Sequence, residues 1–179
     1  MKILIRALQL LMISAVLVAC DQGPLTKYKG EVDSLIKVVE KAGGELDDIN
    51  PEKYQSWKDS IDFDVRFLHA TWDTMPLEKG VKVDTYYRTK KSILKYDKTW
   101  KDQSNDIKFS LKQLQELRMD LESGAIDTLG FKPYFESEKA AINRLMESNI
   151  SLKAWAKSIE KNYNGLRPEI QAMMAEGKQ

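Results

Sequence analysis

The chain has 179 residues, with 28 Lys or Arg against 27 Asp or Glu, and its formal net charge is +1. A chain of this length corresponds to one ordinary domain, and it can bury a full core without disulfide or metal cross-links. The balance of charge argues against a dedicated nucleic-acid-binding protein, which would carry a marked excess of basic residues. A single cysteine also excludes an internal disulfide.

The first 20 residues have a composition unlike that of the rest of the chain. Lys2 and Arg6 precede an apolar run over residues 7–16, and small residues follow just before Cys20. A positive start, a short apolar core and a small-residue end are typical of a secretory signal. The run is too short for a helix that spans a bilayer. We therefore predict cleavage of residues 1–19, which removes both basic residues and changes the net charge to −1.

The end of this segment, Leu17-Val18-Ala19-Cys20, resembles the lipobox of bacterial lipoproteins. That motif is Leu, a small or aliphatic residue, Ala or Gly, and then Cys. The resemblance covers the first 20 residues only. It implies a diacylglycerol on the Cys20 sulfur, cleavage before Cys20 and acylation of the new amino group. Two or three acyl chains hold a protein stably at a membrane without spanning it.

Two alternatives for this segment are an ordinary signal peptide with an incidental cysteine and an N-terminal anchor that stays uncut. The location that we predict is the cell envelope, facing the periplasm. Asp21-Gln22 resembles the signal for inner-membrane retention in enteric-type bacteria, so the inner membrane is expected where that sorting applies.

The predicted tether, residues 20–25, is followed by a single helical domain over residues 26–179. The first predicted helix covers residues 26–42, with Gly43-Gly44 as its C-terminal stop. Asn50 and Pro51 are typical of a helix start, and Pro76 ends the helix that they begin. Apolar residues recur in this second helix in steps of three and four: Tyr54, Trp57, Ile61, Val65, Leu68, Trp72 and Met75.

Residues 81–123 contain no proline or glycine, and a continuous helix there would be about 60 Å long. Between residues 97 and 106, Trp100 is the only large apolar residue, so a kink or break is the alternative. Pro133 is predicted to begin the last long helix, and Gly165 to end it.

This pattern predicts an all-α fold, an antiparallel bundle of about four amphipathic helices with short connections. The helices are of unequal length, which suits an elongated rod as well as a compact four-helix bundle. In the rod, the two shorter helices would pack end to end along the longest one.

No catalytic residue, cofactor or metal site is predicted. His69 is the only histidine, and with Asp73 it forms the spacing of an ordinary polar pair on a helix flank. Asp59, Asp62 and Asp64 lack the central glycine and closing glutamate of a calcium-binding EF-hand loop, so a solvated helix face is expected there.

Charge is unevenly distributed, with an acidic segment at residues 45–64 and a basic one at residues 79–101. A hairpin would set Asp64 opposite Ser92 and Asp59 near Asp97, so that complementary flanks fix the register. The functional alternative is a basic stripe that faces anionic lipid or an acidic partner. We define the basic stripe as Arg88, Lys91, Lys95 and Lys98.

The four tryptophans fall on or beside the apolar faces, which favours a core position or, alternatively, a tryptophan-lined cavity. Our first hypothesis for function is a non-enzymatic, lipid-anchored adaptor that binds another envelope protein. The second is a lipoprotein that holds a small apolar or aromatic molecule between its helices. An enzyme would have to depend on Asp, Glu, Lys or Tyr alone, since there is one histidine and one cysteine.

Overall fold

The computed structural model describes residues 24–177, which are almost entirely helical. The predicted signal, Cys20 and Asp21 lie outside the described residues. In the described range there are four α-helices, with a 3₁₀ turn at Pro51–Tyr54 between the first two. They are α1 (Pro24–Asp47), α2 (Gln55–Thr71), α3 (Leu77–Ser123) and α4 (Thr128–Glu176). The predicted all-α class is confirmed.

The frame of the molecule is an antiparallel hairpin of the two long helices. The 47 residues of α3 make a helix about 70 Å long at 1.5 Å per residue. Helix α4 returns along its whole length: Lys82 Nζ lies 2.8 Å from Glu169 Oε2 near one end. In the middle, Gln103 Nε2 lies 3.1 Å from Asn149 Oδ1.

The two shorter helices follow one another in the same direction along this hairpin. Beside α1, Arg118 Nε lies 2.7 Å from Asp33 Oδ1. Beside α2, the Tyr86 hydroxyl donates to Asp64 Oδ2 over 2.9 Å. A section across the rod therefore meets three helices along most of its length. The fold is the elongated form of the bundle, with α1 and α2 packed end to end.

The junction between α1 and α2 is held by side chains of α3. Asn50 caps the 3₁₀ turn, and its side chain accepts a backbone N–H. The Tyr96 hydroxyl donates to the Ile49 carbonyl over 2.5 Å, and Trp100 Nε1 donates to the Leu46 carbonyl over 2.9 Å. The Leu46 carbonyl also accepts from the Ile49 N–H over 3.1 Å, so the two side chains of α3 add hydrogen bonds to the last turn of α1 and to the turn that follows it.

Helix α1 does not stop at Gly43-Gly44, so that predicted boundary was wrong. It continues to Asp47, with Ala42 and Leu46 buried against the hairpin. A glycine within a helix costs about 0.5–1 kcal/mol relative to alanine. Burial of a leucine side chain contributes about 1.5–3 kcal/mol, so packing outweighs the local preference.

Helix α4 is longer at both ends than the sequence predicted. It begins before Pro133, because Asp127 caps it and accepts from the Gly130 N–H over 2.7 Å. It then continues past Gly165 and Pro168 to its last turn.

The extension beyond Pro168 has a clear energetic reason. A proline inside a helix costs about 3 kcal/mol. Ile170 and Met173, in the turn and a half that follows, are 0% and 4% exposed. Burying two such side chains contributes about 1.5–3 kcal/mol each, which offsets the cost.

Helix α3 is continuous through residues 97–106, so no break occurs there. A buried polar layer replaces the missing apolar residues. Gln103 Nε2 donates to the Leu145 carbonyl over 2.8 Å and to Asn149 Oδ1. Asn149 Nδ2 donates in turn to the Ala42 carbonyl over 2.9 Å. Three helices are thereby joined at one level.

The expected pairing of acidic and basic flanks holds in part. Lys90 Nζ lies 2.5 Å from Asp62 Oδ1, which joins the two segments as predicted. The register differs, because Asp64 contacts Tyr86 rather than Ser92. Other basic residues at this end pair with α4 or within α3.

At the junction between α1 and α2, Glu160 of α4 accepts hydrogen bonds from two residues of the 3₁₀ turn. Its Oε1 lies 2.6 Å from Lys53 Nζ and accepts from the Tyr54 hydroxyl over 3.0 Å. The hydrogen bond from Lys53 lowers the pKa of Glu160, burial opposes it, and the bond from Tyr54 lowers it further. Burial and the same bond raise the pKa of Tyr54.

We expect Asn149→Ala to lower the free energy of unfolding by about 1–3 kcal/mol, because it removes two buried hydrogen bonds worth about 0.5–1.5 kcal/mol each. These are the bond from Gln103 Nε2 to Asn149 Oδ1 and the bond from Asn149 Nδ2 to the Ala42 carbonyl. Thermal or urea unfolding measures the change, with Asn143→Ala on the exposed face of α4 as the matched control. Equal stability of the two variants would contradict a structural role for the polar layer.

We expect Glu160→Gln to be less stable than the parent chain at pH 7, by about 0.2–1 kcal/mol, because both members of the ion pair are more than a third exposed. A lowered folded-state pKa means that the carboxylate stabilises the fold above its ordinary pKa of 4.5. That contribution is lost as the pH falls through the folded-state pKa. Unfolding measured from pH 7 to pH 3 should therefore show the two proteins converging, whereas Glu147→Gln, at an exposed site, should show no such trend.

Candidate functional site

A groove of about 830 Å³ lies between α2 and α3, at the end of the rod where α2 and α4 finish and α3 begins. We call it the distal groove. It opens because α2 ends at Thr71, and the chain crosses to α3 through a non-helical segment, residues 72–76, that bends at residues 73 and 74. Within residues 24–177, no third helix lines the gap that this crossing leaves.

The floor of the distal groove is apolar. Val65, Leu68 and Val83 are buried beneath it, and Trp72 and Met75 form half-buried walls. Four of these five side chains belong to the apolar series predicted for the second helix. An apolar floor with open access is suited to binding a nonpolar side chain or ring.

Trp72 is held in place by the end of α4. Its Nε1 donates to the Met173 carbonyl over 3.3 Å, and Lys79 Nζ lies 4.7 Å from the ring centroid. Gly177 approaches so closely that a Cβ there would lie 2.6 Å from Trp72 Nε1. The shape of the groove therefore depends on α4 as well as on the helices that line it.

The rim of the groove is polar, and His69 and Asp73 lie on it with their side chains exposed. Asp73 follows the end of α2, so the two residues do not share one helix as expected. In the described part of the chain, the His69 imidazole and the Asp73 carboxylate are not paired within 4 Å of each other. This geometry offers no positioned acid and base pair.

The three aspartates of α2 lie in different environments. Asp59 is exposed, whereas Asp62 pairs with Lys90. Asp64 is 5% exposed and accepts from Tyr86, so the solvated face predicted for it was wrong. Burial, and then this hydrogen bond, raise the pKa of Tyr86. Across residues 24–177, no three His, Cys, Asp or Glu side chains are grouped so that they could hold a metal ion.

The basic stripe is exposed on α3 and continues directly from the groove. Arg88 Nε lies 2.8 Å from Asp84 Oδ2, and Lys91 Nζ lies 5.4 Å from the Tyr87 ring centroid. Asp84 and Tyr87 both line the groove. The stripe extends about 15 Å along the helix at 1.5 Å per residue. Its four members are Arg88, Lys91, Lys95 and Lys98.

The other three tryptophans pack within or against the core, as predicted. Trp57 stacks on Tyr163 with ring centroids 4.2 Å apart. Trp155 Nε1 donates to Ser92 Oγ over 2.7 Å, and Trp100 Nε1 donates to the Leu46 carbonyl at the end of α1. Of the four, Trp72 is the one that lines the distal groove.

A second cleft of about 660 Å³ lies between α2 and α4, and sequence reasoning did not anticipate it. Arg167 lines it beside Asp59 and Asp64. The Arg167 guanidinium lies 5.3 Å from the Tyr163 ring centroid, and the buried Arg167 Nε and Tyr163 hydroxyl have no hydrogen-bond partner. One guanidinium and two carboxylates therefore line this cleft.

No helix in the part of the chain from residue 24 to residue 177 is both long and apolar enough to cross a bilayer. No family model, curated protein or solved structure matches this chain. Function is therefore inferred from the groove, the basic stripe and the N-terminal motif.

We expect Gly177→Ala to displace Trp72 and to lower the free energy of unfolding by about 1–3 kcal/mol, as overpacking does. Gly165→Ala is the matched control, because nothing lies within 4 Å of its added Cβ, and it should raise stability by about 0.5–1 kcal/mol. Thermal unfolding and the fluorescence of a chain that keeps Trp72 as its only tryptophan measure both effects. An unchanged Trp72 spectrum in Gly177→Ala would contradict the close contact.

Proposed function

We propose that this chain is a bacterial lipoprotein whose helical rod is a non-enzymatic adaptor of the cell envelope. Lipid on Cys20 holds one end at a membrane, and the distal groove binds an envelope protein. The observation that carries the proposal is that the start of α1 and the distal groove lie at opposite ends of the rod.

The position of the anchor follows from chain length. Cys20 precedes Pro24 by four residues, which span at most about 14 Å when fully extended. The first turns of α1 pack beside the start of α4, where the Tyr28 and Phe131 ring centroids are 4.8 Å apart. From that end, the distal groove is about 60 Å away along α3. An attached lipid would thus leave the groove free to meet a partner well above the bilayer.

The chemistry of this surface favours an amphipathic helix with an acidic flank. Apolar side chains of such a helix would enter the distal groove, in the way that helices dock in hydrophobic grooves. Its acidic residues would face the basic stripe, which adjoins the groove through Asp84 and Tyr87. Charge complementarity of this kind sets orientation and speeds encounter.

We place the rod on the periplasmic side of its membrane. The Asp21-Gln22 pair favours the inner membrane if enteric-type sorting applies, a point that fractionation of an Asp21→Ser variant tests. Equal recovery of the parent chain and the Asp21→Ser variant in the outer membrane would exclude retention at the inner membrane.

The alternative function is a lipoprotein that binds a small apolar or aromatic molecule. The volume of the distal groove supports it, because ligand sites usually measure about 300–1,000 Å³. Trp72 in the wall would report such a ligand. Quenching of Trp72 fluorescence by an added small molecule, together with the absence of any protein crosslinked at the groove rim, would favour this alternative.

To test the adaptor, a photo-crosslinking residue would be placed at Asp73 on the groove rim and, as control, at Asn143 on the exposed face of α4. We expect one envelope protein to crosslink at position 73 and not at position 143. Cys20→Ala should abolish the crosslink by releasing the rod from the membrane.

Charge reversal in the same strain tests the partner chemistry. Lys91→Glu with Lys95→Glu should reduce the crosslinked product about tenfold, equivalent to about 1.4 kcal/mol. Lys139→Glu, at an exposed position on α4, should leave the product unchanged. A crosslink that survives both Cys20→Ala and the charge reversal would refute the adaptor as proposed.

A further inference from the structure

Large apolar side chains are exposed at the end of the rod opposite the distal groove. Leu129 is 85% exposed, Tyr134 is 65% exposed and Met119 is 57% exposed. Met119 lies about 6 Å from the end of α3, and Tyr134 about 9 Å from the start of α4, at 1.5 Å per residue. We call this region, residues 119–134, the hairpin tip. Leu77 and Val81 at the other end of α3 are exposed as well, and single exposed apolar residues are common. The three at the tip lie within about 10 Å along the rod axis.

The hairpin tip lies at the same end as the start of α1. Tyr28 packs on Phe131 of the tip, and Asp33 pairs with Arg118 just before it. Cys20 can lie no more than about 14 Å from the first residue of α1. The exposed apolar residues are therefore at the level where the lipid would enter the bilayer.

The charges around the tip argue for an apolar contact rather than an electrostatic one. Basic residues are outnumbered there, so anionic lipid would not be attracted. Over residues 118–136 the acidic residues are Asp120, Glu122, Asp127 and Glu136, and the basic ones are Arg118 and Lys132. The adjacent first turns of α1 add two residues of each sign: Lys27, Lys29, Glu31 and Asp33. Leucine inserts among acyl chains, and tyrosine favours the head-group region, with its ring in the apolar part and its hydroxyl in water.

We propose that the hairpin tip, through Leu129 and Tyr134, inserts into the head-group region of the membrane beside the lipidated N-terminus and holds the rod upright. This inference depends on the proposed lipid anchor at Cys20. It identifies a second contact with the lipid surface, one that does not require anionic lipid. It also keeps the basic stripe away from the bilayer, since Arg88 lies about 50 Å from the tip end of α3.

The test uses the full lipidated chain in vesicles of zwitterionic phosphatidylcholine. Cys20 is the only cysteine, and its acylated sulfur does not react with thiol reagents. Leu129→Cys therefore provides one free thiol for a polarity-sensitive dye. Leu77→Cys is the matched control, because Leu77 is also 85% exposed but begins α3 at the opposite end. Tyr134→Cys gives a second reporter within the tip.

We expect the dye at positions 129 and 134 to shift to the blue and to be quenched by nitroxide-labelled lipid, and the dye at position 77 to do neither. No shift at 129 and 134, in protein whose Cys20 peptide carries the acyl mass, would overturn the insertion while leaving the anchor intact. A Cys20 peptide without acyl mass would overturn the anchor and the insertion together. A third variant, Lys95→Cys, carries the dye on the basic stripe and is tested in vesicles with and without anionic lipid. Quenching at position 95 only in anionic vesicles, without quenching at position 129, would mean that the rod lies flat on the membrane and would overturn the insertion.

Discussion

The buried amides of Gln103 and Asn149 determine how the three columns of helix align. One amide belongs to α3 and the other to α4, and Asn149 also reaches the Ala42 carbonyl of α1. Leaving such a group unpaired costs about 1–3 kcal/mol, so a slip of one turn in either partner is strongly disfavoured. Apolar packing alone would tolerate other alignments, because leucine and isoleucine faces are similar from turn to turn. The polar layer thus supplies specificity where the apolar face is weakest.

The rest of the rod keeps this alignment on both sides of the layer. Asp33 meets Arg118 on one side, and Asp64 meets Tyr86 on the other. The break between α1 and α2 does not shift the register, because Tyr96 and Trp100 of α3 bond the carbonyls that the break exposes. Two short helices therefore behave as one interrupted column. The interruption brings α2 to an end near the last turns of α4, where Trp72 is held and the distal groove opens.

This arrangement links the two ends of the molecule through rigid helices. The proposed anchor and the hairpin tip lie at one end, and the groove with its adjoining basic stripe lies near the other. The groove needs α2 and α3 for its walls, and α4 to hold Trp72 through the Met173 carbonyl. Fraying of the last turns of α4 would release that tryptophan. The burial of Ile170 beyond Pro168 therefore stabilises the groove as well as the helix.

Periodicity and composition were sufficient to predict the all-helical class and the inner face of α2, because these depend on local spacing. They left open whether the bundle is compact or elongated, and whether the basic stripe pairs with the acidic flank or faces outward. The N-terminal motif is likewise a property of the sequence, and the lipid on Cys20 stays a prediction. Tertiary packing extended α1 past Gly43-Gly44 and α4 past Gly165, since burial outweighs a cost of about 0.5–1 kcal/mol for each glycine. It also decided the distal groove: Val65 and Leu68 were predicted to face inward and are buried in the groove floor, and the path of residues 72–76 leaves the groove open above them. A groove walled by two helices, with a third holding Trp72, has no signature in any one of them.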